Sequence, residues 1–341
     1  MSRMEKRRIK KRKQKITMIL FLTIIFAITA IAVYLNQAPK MVRHPQEKPK
    51  ESISKENDIQ KEAAEKEDSY IPTQKYFENR KDGFYTILLA GTMDEYNTDS
   101  IMLISVDVNT RQVNAISIPR DTMVDVPRKN KKINATYGVS GVEELRNVVE
   151  DITGIYTDYY IVVNVESFMK IIDLIGGVEF DVPYNMYHKD DDPEYTINLK
   201  SGVQTLNGSD ALKLVRYRGT AQSDIERMNM QRQFLKAVGN KILQSFTIKD
   251  LTKMVPIVIS SIETDMSAKD MLWFYRKIGK DFDSENNLNF YSMPMDEPGR
   301  YNGQEYVYLN WREVLKLVNT TVNSYQEDIT GNDINIIRLE N

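Results

Sequence analysis

No cysteine occurs in the 341 residues, and histidine appears only twice, as His44 and His188. Without cysteine there can be no disulfide, no thiolate nucleophile and no cysteine metal site. Two isolated histidines do not supply a Ser-His-Asp hydrolase or a multi-histidine zinc centre. Acid–base work is left to carboxylates, tyrosines or groups of the substrate. Internal repeats are missing as well. Long apolar runs are scarce: one uncharged stretch of membrane length stands at residues 16–35.

That stretch, ITMILFLTIIFAITAIAVYL, would span roughly 30 Å as a helix, the thickness of a bilayer's hydrocarbon core. Residues 1–15 before it carry nine Lys or Arg and one Glu, a local charge of +8 against −2 for the whole chain. A basic end beside an apolar run sets topology, so the sequence predicts a single-pass membrane anchor with residues 1–15 cytoplasmic and the rest outside. The same arm abutting a membrane argues against a nucleic-acid partner. A cleaved signal peptide and a buried helix are the alternatives. The exit YLNQAPK offers no clear small-x-small cleavage site. Residues 36–80 follow, rich in Lys, Glu, Gln and Pro, and read as an extracytoplasmic stalk. His44 lies in it as a solvated side chain.

Order is expected from about Gly83, giving a globular domain over residues 81–325 and a C-terminal tail over 326–341. Short apolar runs predict strands at 84–90, typical of a buried one, and at 101–106, and further strands are read at 113–118, 159–164, 178–182 and 288–292. The run LKLVRYR, residues 212–218, also reads as a strand, placing Arg216 and Arg218 on one face. Helices are expected at 142–152, 166–175, 224–243, 249–262, 268–278 and 311–319, with one helical turn at 209–213. Strands interleaved with helices imply an α/β layered domain, and about 245 residues are ample for its core.

Three polar turns gather the candidate chemistry. The first carries Asp94 and Asp99, the second Arg120 and Asp121, and the third runs from Arg216 to Gln231. In the predicted helix, Asp224, Arg227 and Gln231 share the side that continues as Leu235, Val238 and Ile242. A solvated helix would place those polar groups on the other face. Guanidinium forks suit phosphate, and aspartates beside phosphate suit a hard divalent ion, Mg²⁺ being the usual choice. The bland reading of each Arg–Asp pair is a salt bridge. Lys131 and Lys132 read as solvated, and Tyr156, Tyr159, Tyr160 and Phe168 as core.

With these residues in view, the chain resembles the LytR-CpsA-Psr family of Gram-positive bacteria. The blocks that carry the resemblance are TDSIMLISVD, SIPRDTMVDVP, KINATYG, DYYIVVNVESFMKIIDLIGGVEFDVP, LNGSDALKLVRYR and DIERMNMQRQFL, in consistent order from Phe84 to Leu243. The resemblance implies an α-β-α sandwich with a central mixed sheet and an apolar tunnel for a polyprenyl chain. It implies phosphoryl transfer of an anionic glycopolymer, such as teichoic acid or capsular polysaccharide, from an undecaprenyl-pyrophosphate carrier to peptidoglycan. Arg120, Arg216, Arg218, Arg227 and Gln231 would hold the pyrophosphate. Asp99, Arg120, Asp224 and Arg227 would be catalytic, and Asp99, Asp94 and Asp121 would hold Mg²⁺. The chain departs from the family pattern at two places: Gly91-Thr92-Met93-Asp94 shifts an aspartate by one residue, and Glu226 precedes Arg227 where glycine is frequent. A non-catalytic membrane regulator or polyprenyl-pyrophosphate binder, and a pyrophosphatase using water as acceptor, are the alternative functions.

Overall fold

The computed structural model describes residues 37–41, 79–92, 96–190, 196–217, 223–279 and 282–338, with residues 223–228 described as backbone helix only. The expected anchor at 16–35, the tail 1–15 and most of the expected stalk lie outside the described residues. So do Asp94, Arg218 and the side chains of Asp224 and Arg227. Among the described residues no helix is long and apolar enough to cross a membrane.

In chain order the strands are β1 Phe84–Thr92, β2 Thr98–Asp107, β3 Gln112–Ile118, β4 Tyr159–Asn164, β5 Val178–Val182, β6 Met186–His188, β7 Ile197–Leu199, β8 Gly202–Leu206, β9 Glu263–Thr264, β10 Leu288–Ser292, β11 Gly299–Tyr301 and β12 Gln304–Tyr306. The longer helices are α1 Val142–Thr153, α2 Val165–Leu174, α3 Gly208–Arg216, α4 Ser223–Ser245, α5 Ile248–Ile259, α6 Ala268–Ile278 and α7 Trp311–Thr321. Six strands form a central mixed sheet in the order β10-β3-β2-β1-β4-β9. β1 is antiparallel to β2 and parallel to β4, so β1 and β4 end side by side.

Alternation along β1 builds two cores. Leu88 and Ala90 point to one face, with Leu103 and Ile101 as their β2 partners, and meet Leu145, Val149 and Ile152 of α1 and Val314 and Val318 of α7. Tyr85 and Ile87 point to the other, against Trp273 and Phe274 of α6. The rings of Tyr85 and Phe274 meet edge to face, with centroids 5.0 Å apart. Helices therefore cover both faces of a mixed sheet, as expected. A third apolar cluster joins α2, α3 and α4 to the β5–β8 and β6–β7 pairs through Ile172, Phe180, Leu199, Leu214 and Phe234.

Residues 212–216, expected as part of a strand, are instead the second half of α3, whose cap Asn207 accepts from Asp210 N at 2.9 Å and whose C-terminal cap is Tyr217. Ala211 and Leu214 are buried at i and i+3, a helical stripe that the alternation of LKLVRYR disguises. Arg216 is consequently the last residue of a helix, where the carbonyl dipoles favour a cation. β6 ends at His188, whose side chain is exposed.

Two outer segments also differ from expectation. Residues 326–338, set apart as a tail, contribute Ile329, Ile334 and Ile336 to the α1-side core. Residues 37–41, within the expected stalk, lie on the domain. Tyr85 Oη donates to Pro39 O at 3.4 Å, Tyr159 Oη donates to Lys40 O at 3.1 Å, and Met41 packs among the α6-side aromatics. Arg80 is tied to buried Asp158 at 2.5 Å.

Candidate functional site

A cavity of about 200 Å³ opens where β1 and β4 end. Its floor continues the α6-side face of the sheet: Leu89 and Gly91 of β1, their partner Met102 and Ser100 of β2, and Val163 of β4. Phe168 of α2, Leu212 and Val215 of α3, and Phe234 and Leu235 of α4 line its walls. α2 starts directly off β4 because Asn164 caps it, accepting from Ser167 N at 2.8 Å. The lining is almost wholly apolar. The polar side chains that reach it are Asp99, Asn164, Arg216 and Gln231, with Thr92 and Ser100 at the strand ends.

Beside the cavity stands a row of alternating charges. β3 stops before Pro119, which has no N–H for a ladder, and Arg120 follows. Arg120 Nη1 donates to Asp99 Oδ1 at 2.8 Å, and its Nε lies 3.8 Å from Asp121 Oδ2. Lys132 Nζ then pairs with Asp121 Oδ1 at 2.8 Å, and lies 5.7 Å from the centre of the Tyr306 ring. Asn134 N donates to Arg120 O at 3.1 Å, so the segment 132–134 braces the arginine's backbone too. The three side chains Asp99, Arg120 and Asp121 are each about one-third exposed, with values of 31%, 31% and 32%. Ion pairs this exposed contribute little to stability.

Gln231 Nε2 donates to Val215 O at 3.1 Å, which locks α4 onto the end of α3 and sets Gln231 beside Arg216 at the cavity. The helix side expected from sequence is confirmed where side chains are described: Gln231 and Leu235 line the cavity, and Val238 and Ile242 pack in the third cluster. Helical backbone through 223–228 keeps Asp224 and Arg227 at i and i+3 relative to each other, about two turns and one turn before Gln231 respectively. The neighbouring Arg232 plays another part. It donates to Tyr291 O at 3.0 Å and joins α4 to β10, and burial lowers its pKa.

The structure thus joins Asp99, Arg120 and Asp121 by ion pairs, and Asp99, Arg216 and Gln231 around one cavity. Asp94 and Arg218 lie outside the described residues. Lys132 was read as solvated and is instead part of the charged row. Its signal was its place in the KINATYG block, whose fold-back onto Arg120 no local pattern reveals. The apolar walls, Leu89, Met102, Val163 and Leu212, look like ordinary core in sequence.

Among the described residues no group of three acidic or histidine side chains is arranged to hold a metal ion. Mg²⁺ bound to phosphates needs only one or two carboxylates, the rest of its shell being phosphate oxygen and water. Asp99 beside the cavity fits that smaller role, while Asp121 is occupied by Lys132 and Arg120.

The sequence matches the model of the LytR_cpsA_psr family over residues 48–323. The chain belongs to this family. It is 30% identical over 198 residues to the polyisoprenyl-teichoic acid–peptidoglycan teichoic acid transferase TagU of Bacillus licheniformis, covering 55% of this chain and 61% of that protein. It is 30% identical over 195 residues to TagV of Bacillus subtilis, which carries the same transferase description, covering 53% and 50%. It is also 30% identical over 192 residues to the regulatory protein MsrR of Staphylococcus aureus, covering 55% and 58%. The matches therefore span half to three-fifths of those relatives' length. The crystal structure of B. subtilis TagV superposes with a TM-score of 0.62 at 25% identity, over 72% of this chain and all of that one. TagT bound to LIIa-WTA shares the fold, with a TM-score of 0.60 at 21% identity over 77% of this chain and 98% of that one.

Proposed function

We propose that this chain transfers an anionic glycopolymer from a polyprenyl-pyrophosphate carrier to peptidoglycan during cell-wall assembly. The observation that carries this reading is an apolar cavity with arginines and an aspartate at its rim. Such a site suits an amphiphile with a hydrocarbon tail and a pyrophosphate head. The transferase descriptions of TagU and TagV support the same reaction class. The chain would work outside the cell, held to the membrane by residues 16–35.

In this reading the lipid chain occupies the space between the sheet and helices α2 to α4. Arg120, Arg216 and Gln231 bind the pyrophosphate, joined by Arg218 and Arg227, and Asp224 orients the arginines. Charge-assisted and bidentate contacts from guanidinium groups fix the phosphates and stabilise the charge that builds on them. A hydroxyl of the acceptor glycan attacks the phosphorus that carries the sugar. A new O–P bond forms, the P–O–P bridge breaks, polyprenyl phosphate departs and the hydroxyl proton passes to solvent. Asp99, joined by Asp94 five residues before it in the sequence, would hold Mg²⁺, which when bound supplies positive charge to the phosphate oxygens; Asp121, paired with Lys132, is left to position Arg120. Asp99 also holds Arg120 in place from the cavity side.

The test is turnover by the full chain in detergent, given a synthetic polyprenyl-pyrophosphate-linked glycan and a peptidoglycan oligomer. The expected product is a phosphodiester-linked conjugate with release of polyprenyl phosphate. Binding without turnover would favour the regulatory reading that the MsrR description supports. Release of glycan phosphate without acceptor would favour a pyrophosphatase.

A further inference from the structure

The reaction proposed above has two substrates, and the cavity accounts for one. It opens on the side of the sheet covered by α2, α3 and α4. The other side of the same strand ends carries a different surface. Tyr96 precedes Asp99 by three residues, within about 10 Å along an extended chain. It is 67% exposed, and Val139 nearby is 45% exposed. The two are held together by a close backbone contact. A Cβ on Gly138 would lie 2.4 Å from Tyr96 O and 2.8 Å from its Cα, so only glycine lets the chain at Tyr96 rest on the turn Tyr137–Ser140. That turn is itself anchored. Tyr137 packs on the α1-side core and donates its hydroxyl to Glu263 Oε2 at 2.9 Å. Thr136 Oγ1 donates to Ile133 O at 2.7 Å, one residue from Lys132.

An exposed tyrosine seated on a turn whose own Tyr137 hydroxyl meets a carboxylate has the chemistry of a sugar subsite. The C–H face of a pyranose is apolar and packs on an aromatic ring, while its rim of hydroxyls takes hydrogen bonds from polar neighbours. Two exposed side chains fall far short of the roughly 1,200 Å² that a stable protein interface buries. They suit a narrow chain instead. We propose that Tyr96, seated on Gly138 and flanked by Val139 and the Tyr137–Glu263 pair, is the platform that takes the acceptor glycan strand. Donor and acceptor then approach Asp99 and Arg120 from opposite faces of the sheet. The inference rests on the transferase reading and specifies its acceptor side.

The experiment uses the full chain in detergent and two separate probes. An N-acetylglucosamine oligosaccharide at millimolar concentration reports the acceptor platform, and farnesyl pyrophosphate reports the donor cavity. Wild type is expected to bind both. Tyr96→Ala should weaken oligosaccharide binding about tenfold, the scale of one lost aromatic contact. Tyr96→Phe and Tyr96→Trp should retain it, because they keep a ring, and the Trp variant should change fluorescence as sugar is added. Gly138→Ala should weaken it by pushing Tyr96 off its seat. Val203→Ser, on the exposed face of β8 at 67% exposure, should bind like wild type. Oligosaccharide binding by Tyr96→Ala equal to wild type, or none by wild type, overturns the platform. Loss confined to the farnesyl arm would instead overturn the donor reading and leave the platform standing.

Discussion

Arg120 is gripped by two carboxylates that are themselves unequal. Asp99 takes it at 2.8 Å beside the cavity, while Asp121 stands 3.8 Å away and is already neutralised by Lys132. If this row were structural, breaking it would cost stability. Its one-third exposure says that it contributes little, typically under about 1 kcal/mol. Asp99→Asn and Arg120→Ala are therefore expected to lower transfer by about a hundredfold, the scale of one lost charge-stabilising group, with Tm moved by no more than a few degrees. A thermal melt beside a turnover assay separates the two readings, and a large Tm loss with transfer intact would reverse the assignment. Asp151 presents the contrary case, a carboxylate with a cost to the fold. It lies in the last turn of α1, and burial pushes its pKa up to about 7. Between about pH 4 and 7 the folded protein keeps a proton that the unfolded chain has released, so stability falls as pH rises through that window. The full cost, on the order of 4 kcal/mol at most, is present above it. Asp151→Asn should raise Tm at pH 8 and leave it nearly unchanged at pH 4.

At the scale of elements, the cavity is a joint product of six pieces: β1, β2 and β4, the helix α2 that β4 launches, α3 and α4. Leu235 of α4 lines it one helical turn beyond Gln231. Leu235→Trp should fill part of the space and weaken binding of a long polyprenyl pyrophosphate by about tenfold or more. Inorganic pyrophosphate, which needs only the rim, should be affected little. Equal loss for both ligands, measured by calorimetry, would mean that the substitution disturbed the rim and not the tail space. Much of this layer was legible in sequence. The stretches 159–164, 178–182 and 288–292 became β4, β5 and β10 with the same bounds; in β5 the letters alternate, Val178, Phe180 and Val182 buried and Glu179 and Asp181 exposed, which is the period of a half-buried strand. The run 212–218 misled because Leu, Val and Tyr alternate with Lys and Arg there, a period of two laid over a helical stripe. Its correct signal was Asn207 followed three residues later by Asp210, a cap before an apolar stripe. The polar rim was legible because Arg and Asp are informative by chemistry. The cavity walls were not, since Leu and Val lining a void and Leu and Val filling a core are the same letters.

For the whole molecule, the question is how the domain is held relative to the apolar stretch at 16–35. Residues 37–41 meet the domain at the starts of β1 and β4, the end of the sheet opposite the cavity. Lys269 at the start of α6 reaches the same segment, its Nζ donating to Gln37 Oε1 at 3.4 Å. If 16–35 crosses a membrane as proposed, only a residue or two separates the bilayer from this contact, so the domain is clamped and does not swing on a long stalk. The clamp also seals two phenols. Burial, with Asp158 second, pushes the Tyr85 pKa up to about 12, and burial likewise raises that of Tyr159. Their hydroxyls donate to Pro39 O and Lys40 O, and a chain starting at Asn79 would leave both without those partners. Such a chain should melt about 2–4 °C lower than one starting at Gln37, the shift expected for roughly 1 kcal/mol in a domain of this size. Water entering beside Tyr85 should also bring its ionisation down towards that of an ordinary phenol, because the charged form loses its burial penalty. Ultraviolet titration between pH 9 and 12 reads this directly, as earlier phenolate absorbance in the shorter chain. Superimposable titrations and equal melts would mean that residues 37–41 rest on the domain without holding it.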